Sequence, residues 1–200
     1  MEAVRRTVVL ATRNRHKVRE VGRMLARWGI SVEPLPDDVV LPPETGETFE
    51  ANALPKARAA AGALGRPAIA DDSGIEAEAL DGRPGVRSAR YAGEDASDEA
   101  NLDKLISEAP AGSALRYVCA LAYVEPASAD EWVFFGECRG RLAQEPRGER
   151  GFGYDPAFLP EEGPDGLTMA ELEDDDKDAI SHRGRAVAAF AEWLTAADSR

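Results

Sequence analysis

The chain is poor in lysine, histidine and cysteine, and it lacks any long apolar run. Of 24 basic residues only four are lysine, namely Lys17, Lys56, Lys104 and Lys177; the remaining twenty are arginine. Two histidines (His16 and His182) and two cysteines (Cys119 and Cys138), all far apart in the chain, do not make a zinc site. The cysteines lie in apolar, strand-like surroundings and read as buried free thiols of a cytoplasmic protein rather than as a disulfide. No stretch approaches the ~20 apolar residues of a membrane span. The start, Met1-Glu2-Ala3-Val4-Arg5-Arg6, has neither the apolar region nor the cleavage site of a secretory signal. Positive charge is short as well, with a net charge of −13. That disfavours a nucleic-acid polymer, whose phosphate backbone demands a broad basic face. A single free nucleotide is different, because a few local cations and one metal can hold it inside an acidic protein.

What is present is an ordinary globular composition, 30% charged and 44% hydrophobic over 200 residues, which suits one domain spanning 1–200. Thr7–Ala11 predicts a buried strand. Val18, Val21, Leu25 and Trp28 recur with helical spacing up to Gly29. Ile30–Leu35 predicts a second strand, and Thr48 an N-cap for an alanine-rich helix reaching Leu64-Gly65, with Pro55 expected to kink it. The apolar run Pro67–Ala70 predicts a strand that ends at Asp71-Asp72-Ser73-Gly74, with Ile75–Leu80 alternating like a half-exposed strand. A helix through Asn101, Leu102, Leu105 and Ile106 precedes strands over Leu115–Val124 and Glu131–Cys138. Val187, Phe190, Ala191 and Leu194 mark a terminal helix starting near Ser181. Interleaved strands and helices make the class α/β with a mixed sheet.

Four clusters carry chemistry. Adjacent carboxylates against a core require a compensating cation, so Asp71-Asp72-Ser73-Gly74 calls for one. There Asp72 offers a metal ligand or a base and Ser73 a hydroxyl, with Asp71 as a structural partner satisfying turn amides. Thr12-Arg13-Asn14-Arg15-His16-Lys17 joins a strand to a helix N-terminus, where free N–H groups and the helix dipole attract anions. Gly151-Phe152-Gly153-Tyr154-Asp155 alternates glycine with aromatic rings able to stack on a planar base. Ser181-His182-Arg183-Gly184 places cations in a first helical turn, which need an anionic or carbonyl partner and disfavour a core-facing position. Three of the four lysines fall in or beside such clusters, and a compact ammonium suits phosphate oxygens near a metal. Glu44, in a Pro/Gly-rich loop, joins Asp72 as a candidate oxygen ligand for Mg²⁺.

Together with Glu44-Thr45-Gly46-x-Thr48-Phe49, Asn52-Ala53, Lys56-Ala57, Ser88-Ala89-Arg90-Tyr91 and Lys177-x-x-Ile180, these clusters resemble the noncanonical purine nucleoside triphosphate pyrophosphatases, the inosine/xanthosine triphosphatase family. The likeness runs in order from residue 8 to residue 190. It implies an elongated mixed α/β fold with two lobes around a central cleft, a homodimer, and hydrolysis of ITP, dITP or XTP to the monophosphate and pyrophosphate with Mg²⁺. Carried over by position, the resemblance makes Asp72 the base that activates water and Glu44 with Asp72 the metal ligands. It gives Thr12, Arg13, Asn14, Arg15, His16, Lys17, Lys56 and Ser73 to the triphosphate. Phe152, Gly153, Tyr154, Asp155, Lys177, His182 and Arg183 would enclose sugar and base. Two positions depart from the family pattern: Arg13, where a small residue is usual, so that the phosphate loop either carries an extra cation or turns that side chain outward, and Pro55, where an ordinary helix former is usual. The rival readings are a Maf-like pyrophosphatase of pyrimidine or modified nucleotides, and a catalytically silent nucleotide sensor.

Overall fold

The computed structural model describes residues 6–128 and 130–197. Six strands form one mixed sheet: β1 (Thr7–Leu10), β2 (Ser31–Pro34), β3 (Ala68–Ala77), β4 (Ala114–Glu125), β5 (Asp130–Leu142) and β6 (Phe158–Pro160). Their order is β2-β1-β3-β4-β5-β6, with β1 parallel to both β2 and β3 and β5 antiparallel to β6. The helices are α1 (Arg15–Ala26), α2 (Phe49–Leu64), α3 (Asp98–Glu108), α4 (Asp174–Ile180) and α5 (His182–Ala197).

The chain divides into two units, one drawn from Met1–Asp72, Cys119–Phe135 and Arg183–Arg200, the other from Ser73–Val118 and Gly136–His182. Each has its own apolar core. In the first, Val8, Leu10 and Ile69 pack with Val21 and Leu25 of α1 and with Val187, Phe190 and Leu194 of α5. In the second, Ile75, Leu105, Leu115, Leu142, Phe158 and Met169 form the centre. Burying side chains of this size stabilises by roughly 1.5–3 kcal/mol each.

Local signals explain most boundaries. Asn14 caps α1, its Oδ1 accepting from the N–H groups of His16 at 2.9 Å and Lys17 at 3.3 Å. Thr48 caps α2 by accepting from Ala51 N–H at 3.1 Å, and Gly65 ends that helix in the left-handed region at φ 60°. Val18, Val21 and Leu25 face the core as their spacing predicts, but Trp28 lies past the last turn of α1 and is 40% exposed.

One expectation changes. The strand after Pro67 does not stop at Asp71; β3 runs unbroken through both aspartates to Ala77. Charge partners from three helices meet those carboxylates, so the strand continues where an unpaired Asp-Asp would have ended it. Pro55 lies inside α2, which runs as one helix from Phe49 to Leu64. The terminal helix starts where its spacing predicts, α5 beginning at His182 after Ser181 in an extended backbone, and a separate short helix, α4, precedes it and ends at Ile180.

Candidate active site

Strand geometry sends successive side chains to opposite faces, and this separates Asp71 from Asp72. Asp71 shares its face of β3 with Ile69, the face covered by α1 and α5. It is fully buried, and its Oδ2 accepts from Lys17 Nζ at 3.0 Å and from Arg183 Nε and Nη2 at 3.2 Å. The third guanidinium nitrogen, Nη1, reaches Glu20 Oε2 at 2.7 Å. Burial alone would push the Asp71 carboxyl up, but the charges of Lys17, Arg183 and Lys56 hold it well below the usual carboxylate range. Burial would likewise strip the Arg183 charge, yet Asp71 and Glu20 raise its proton affinity further.

Asp72 sits on the other face, toward α2. Its Oδ2 accepts from Asn52 Nδ2 at 2.9 Å, and its Oδ1 lies 3.9 Å from Lys56 Nζ. Lys56 donates to Glu44 Oε1 at 2.5 Å and to the Asp71 carbonyl at 2.9 Å. The Asp72 carboxyl is pushed up, first by burial and next by the Glu44 charge against the pull of Lys56; Asn52 pulls down more weakly. Lys56 stays charged because Glu44, Asp72 and Asp71 outweigh its burial. Asn52 does two jobs at once, since its Oδ1 also accepts from Gly46 N–H at 2.7 Å. Gly46 has to be glycine at that approach: a Cβ there would stand 2.7 Å from the Ala51 Cβ. Despite Pro55, the Lys56 ammonium reaches the carboxylates.

The loop before α1 divides. Lys17 reaches the aspartates, whereas Arg15 and His16 are exposed on the first turn, with His16 Nδ1 held by Arg19 Nη2 at 2.9 Å. Thr12 Oγ1 accepts from Asn14 N–H at 3.2 Å, so the oxygens of Thr12 and Asn14 shape the helix start and leave their hydrogens as donors. The Arg13 guanidinium is a correction to its expected role on the triphosphate: it is bound to carbonyl oxygens of residues 35–39.

In the second unit the centre is Asp155, which is buried. Its Oδ2 accepts from Phe152 N–H at 2.9 Å and from Lys177 Nζ at 2.7 Å, and its Oδ1 from the Tyr117 hydroxyl at 3.1 Å. Gly151, at φ 74°, folds so tightly over this carboxylate that a Cβ would lie 2.1 Å from Oδ2. The Lys177 ammonium is 5.4 Å from the centre of the Phe152 ring, and His182 stacks on Tyr117 at 4.4 Å with the rings 4° from parallel. Asp98 Oδ2 accepts from Gly153 N–H at 3.0 Å and ties the loop to α3. Ser73 is half-buried in β3.

Two further expectations are corrected. Tyr154 is not a free stacking face: its ring belongs to the second core and its hydroxyl donates to the Ser88 carbonyl at 2.7 Å. Arg183 does face the core, at 3% exposure, because Asp71 and Glu20 supply the anionic partners that a cation at a helix start requires. Asn52, Glu20 and Tyr117 were missed as site residues. Helical spacing held a signal for two, since Asn52 lies one turn before Lys56 and Glu20 one turn after Lys17. Tyr117 gave none. Lys104, the lysine outside the clusters, makes a helix-surface pair with Glu108 at 2.7 Å.

Among the described residues no three or more His, Cys, Asp or Glu side chains gather as a metal site. Glu44 and Asp72 nonetheless converge on one cation, the Lys56 ammonium. Two carboxylate oxygens are a fitting donor set for Mg²⁺, which keeps waters and completes its shell on substrate phosphates.

Comparison with known proteins agrees over nearly the whole length. Residues 8–193 match the sequence profile of the Ham1 family. The chain is 46% identical over 194 residues to a dITP/XTP pyrophosphatase of Geobacter sulfurreducens, covering 94% of this chain and 96% of that one. It is 47% identical to the dITP/XTP pyrophosphatase of Geobacillus kaustophilus, with 92% of each chain covered. Among solved structures, a HAM1 protein from Coxiella burnetii superposes with a TM-score of 0.80 at 37% identity, covering 95% of this chain and 98% of that one.

Proposed function

The chain belongs to the Ham1 family, and from that premise we propose that it hydrolyses noncanonical purine nucleoside triphosphates (ITP, dITP and XTP) to the monophosphate and pyrophosphate. The relatives named dITP/XTP pyrophosphatase support the substrate class, and they do not favour the pyrimidine alternative. The observation that carries the assignment of the site is the meeting of Lys17 and Lys56, from separate helices, at Asp71-Asp72 beside Glu44. In a chain with twenty arginines, two of four lysines gather at one carboxylate pair.

In this reading Asp72 takes the proton from the attacking water. Its raised proton affinity, from burial and then from Glu44, makes it a better base than an ordinary aspartate. Asn52 fixes the carboxylate, so its lone pair is aimed before substrate arrives. Lys17 and Lys56 set positive charge where negative charge builds on the phosphoryl oxygens, and the dipole of α1 adds to their effect. Glu44 and Asp72 would hold Mg²⁺, which when bound neutralises phosphoryl charge and orients the tail. Asp71 works through Lys17, holding that ammonium at 3.0 Å.

Phe152, Asp155, Lys177 and His182 are assigned to the sugar and base. Donors directed at a 6-keto oxygen would accept hypoxanthine and xanthine. Adenine presents an amino group there and would leave such donors buried and unpaired, a discrimination of about 10⁴-fold or more. The protein is further proposed to act as a cytoplasmic homodimer on free nucleotides; the net charge of −13 supports the choice of nucleotide over polymer. Pyrophosphate release from ITP, dITP, XTP, GTP, ATP, UTP and dTTP, with and without Mg²⁺, tests the proposal. Metal-dependent release from the first three is expected, and a preference for UTP or dTTP would overturn it.

A further inference from the structure

We propose that Arg13 is a positioning residue, pinning the loop that leads into α1, the helix that carries Lys17, to residues 35–39 and thereby setting how tightly the triphosphate is held. The proposal rests on the functional reading above for its substrate, but its physical basis is separate.

Arg13 follows β1 and sits between Thr12 and Asn14, the two residues whose side chains build the start of α1. Its guanidinium does not stand free as an added cation. Nη1 donates to the Leu35 carbonyl at 2.9 Å, and Nη2 donates to those of Pro36 at 2.9 Å and Val39 at 2.8 Å. The Asp37 carbonyl lies within reach of Nη2 at 3.3 Å, and the Asp37 carboxylate is only marginally engaged, at 3.5 Å. Four carbonyls of one short segment therefore point at one planar fork. A lysine ammonium is a point charge and cannot meet that spread of acceptors.

The clamped segment matters for what lies on either side of it. It leaves β2, which pairs in register with β1, and it leads into the loop that delivers Glu44 to Lys56. Leu35 and Val39 are buried while Asp37, Asp38 and Val40 are exposed, so two apolar anchors and the Arg13 fork fix a turn closed by Val39 N–H to the Pro36 carbonyl at 3.2 Å. Arg13 thus joins the backbone that places Lys17 to the backbone that places Glu44. Loosening the tie moves groups that grip the tail without removing any of them.

The test uses the full chain with Arg13→Ala and Arg13→Lys, read by steady-state ITP hydrolysis and by amide hydrogen exchange over residues 12–17 and 36–44. Both variants should raise KM about tenfold with kcat changed less than about twofold, since misplaced binding groups weaken the hold on substrate. Amides of both segments should exchange faster in the two variants without added nucleotide. Arg13 is an exposed side chain, so both should fold. A wild-type KM in Arg13→Lys beside a raised one in Arg13→Ala would mean that charge, not the fork, matters, and would overturn the clamp. Unchanged KM in Arg13→Ala would overturn it too. If the wild type fails to hydrolyse ITP, the proposed function falls instead. The exchange comparison, which needs no nucleotide, then decides the tie: faster exchange upholds it and unchanged exchange removes it.

Discussion

Asp71 and Asp72 are neighbours in sequence and opposites in environment. Asp71 is sealed among Lys17, Arg183 and, through Arg183, Glu20, and its carboxyl is held in the ionised form. Asp72 faces Asn52, Lys56 and Glu44, and its carboxyl is pushed the other way, toward the proton. Both are almost fully buried, so burial does not distinguish them. The partners do: two cations bonded to one carboxylate outweigh its desolvation, whereas one ammonium at 3.9 Å shared with another acid does not. A single peptide step across a strand thus gives one carboxylate suited to structure and one suited to chemistry.

The strongest way to break this contrast is Asp72→Asn. Turnover of ITP should fall by about 10³-fold, the scale of a lost general base, while nucleotide binding measured by equilibrium titration persists. A near-normal rate would take the role of base away from Asp72. Arg183→Met attacks the sealed side. It leaves Asp71 and Glu20 buried beside a neutral side chain, and unfolding in urea should show a loss of about 3–5 kcal/mol. A midpoint like that of the wild type would mean the guanidinium is not the structural partner described.

Acid titration separates the two carboxylates by sign. The Asp71 carboxyl lies below its ordinary value in the folded chain, so its contribution is complete above about pH 4 and drains away as pH falls toward the lowered value. Asp72 is raised, so its ionisation costs stability at neutral pH and the cost is relieved as pH falls through the raised value. Asp71→Asn should therefore lower the urea midpoint at pH 7 and flatten the acid-side decline, whereas Asp72→Asn should raise the midpoint at pH 7. Equal responses would erase the contrast. The smallest effect is expected from Asn52→Ala. Its hydrogen bond favours the ionised form of Asp72, so removing it should carry the acid limb of the kcat profile to higher pH. An unmoved limb would show that Asn52 serves Gly46 alone.

Much of the fold was legible because the signals are local. Val187, Phe190, Ala191 and Leu194 face the first core as their helical spacing required, and Thr48 and Gly65 bound α2 as cap and stop. The start of α5 near Ser181 was legible from that spacing, but α4 was not, because its seven residues hold only two apolar side chains, Ala179 and Ile180. Nor was the continuity of β3, which depends on cations delivered from α1, α2 and α5. Within the candidate site, Lys17, Lys56, Glu44 and the two aspartates were readable from residue type. Asn52 and Glu20 lay one helical turn from residues already singled out. The buried stance of Arg183 and the core position of Tyr154 were not readable, since residue type states what a side chain can bind and not which partner folding brings to it, whereas the outward turn of Arg13 was one of two alternatives left open by its departure from the family pattern.

The sequence by itself determined which groups are available: an acid pair on an apolar strand, scarce lysines near it, capped helices, and glycines where the backbone must come close. Only the tertiary structure decided which carboxylate each cation meets, because pairing depends on distances between segments far apart in the chain. Those distances are set when strand alternation turns Asp71 toward α1 and α5 and Asp72 toward α2. In a buried setting a displacement of one residue then changes the sign of a pKa shift, which no composition or spacing records.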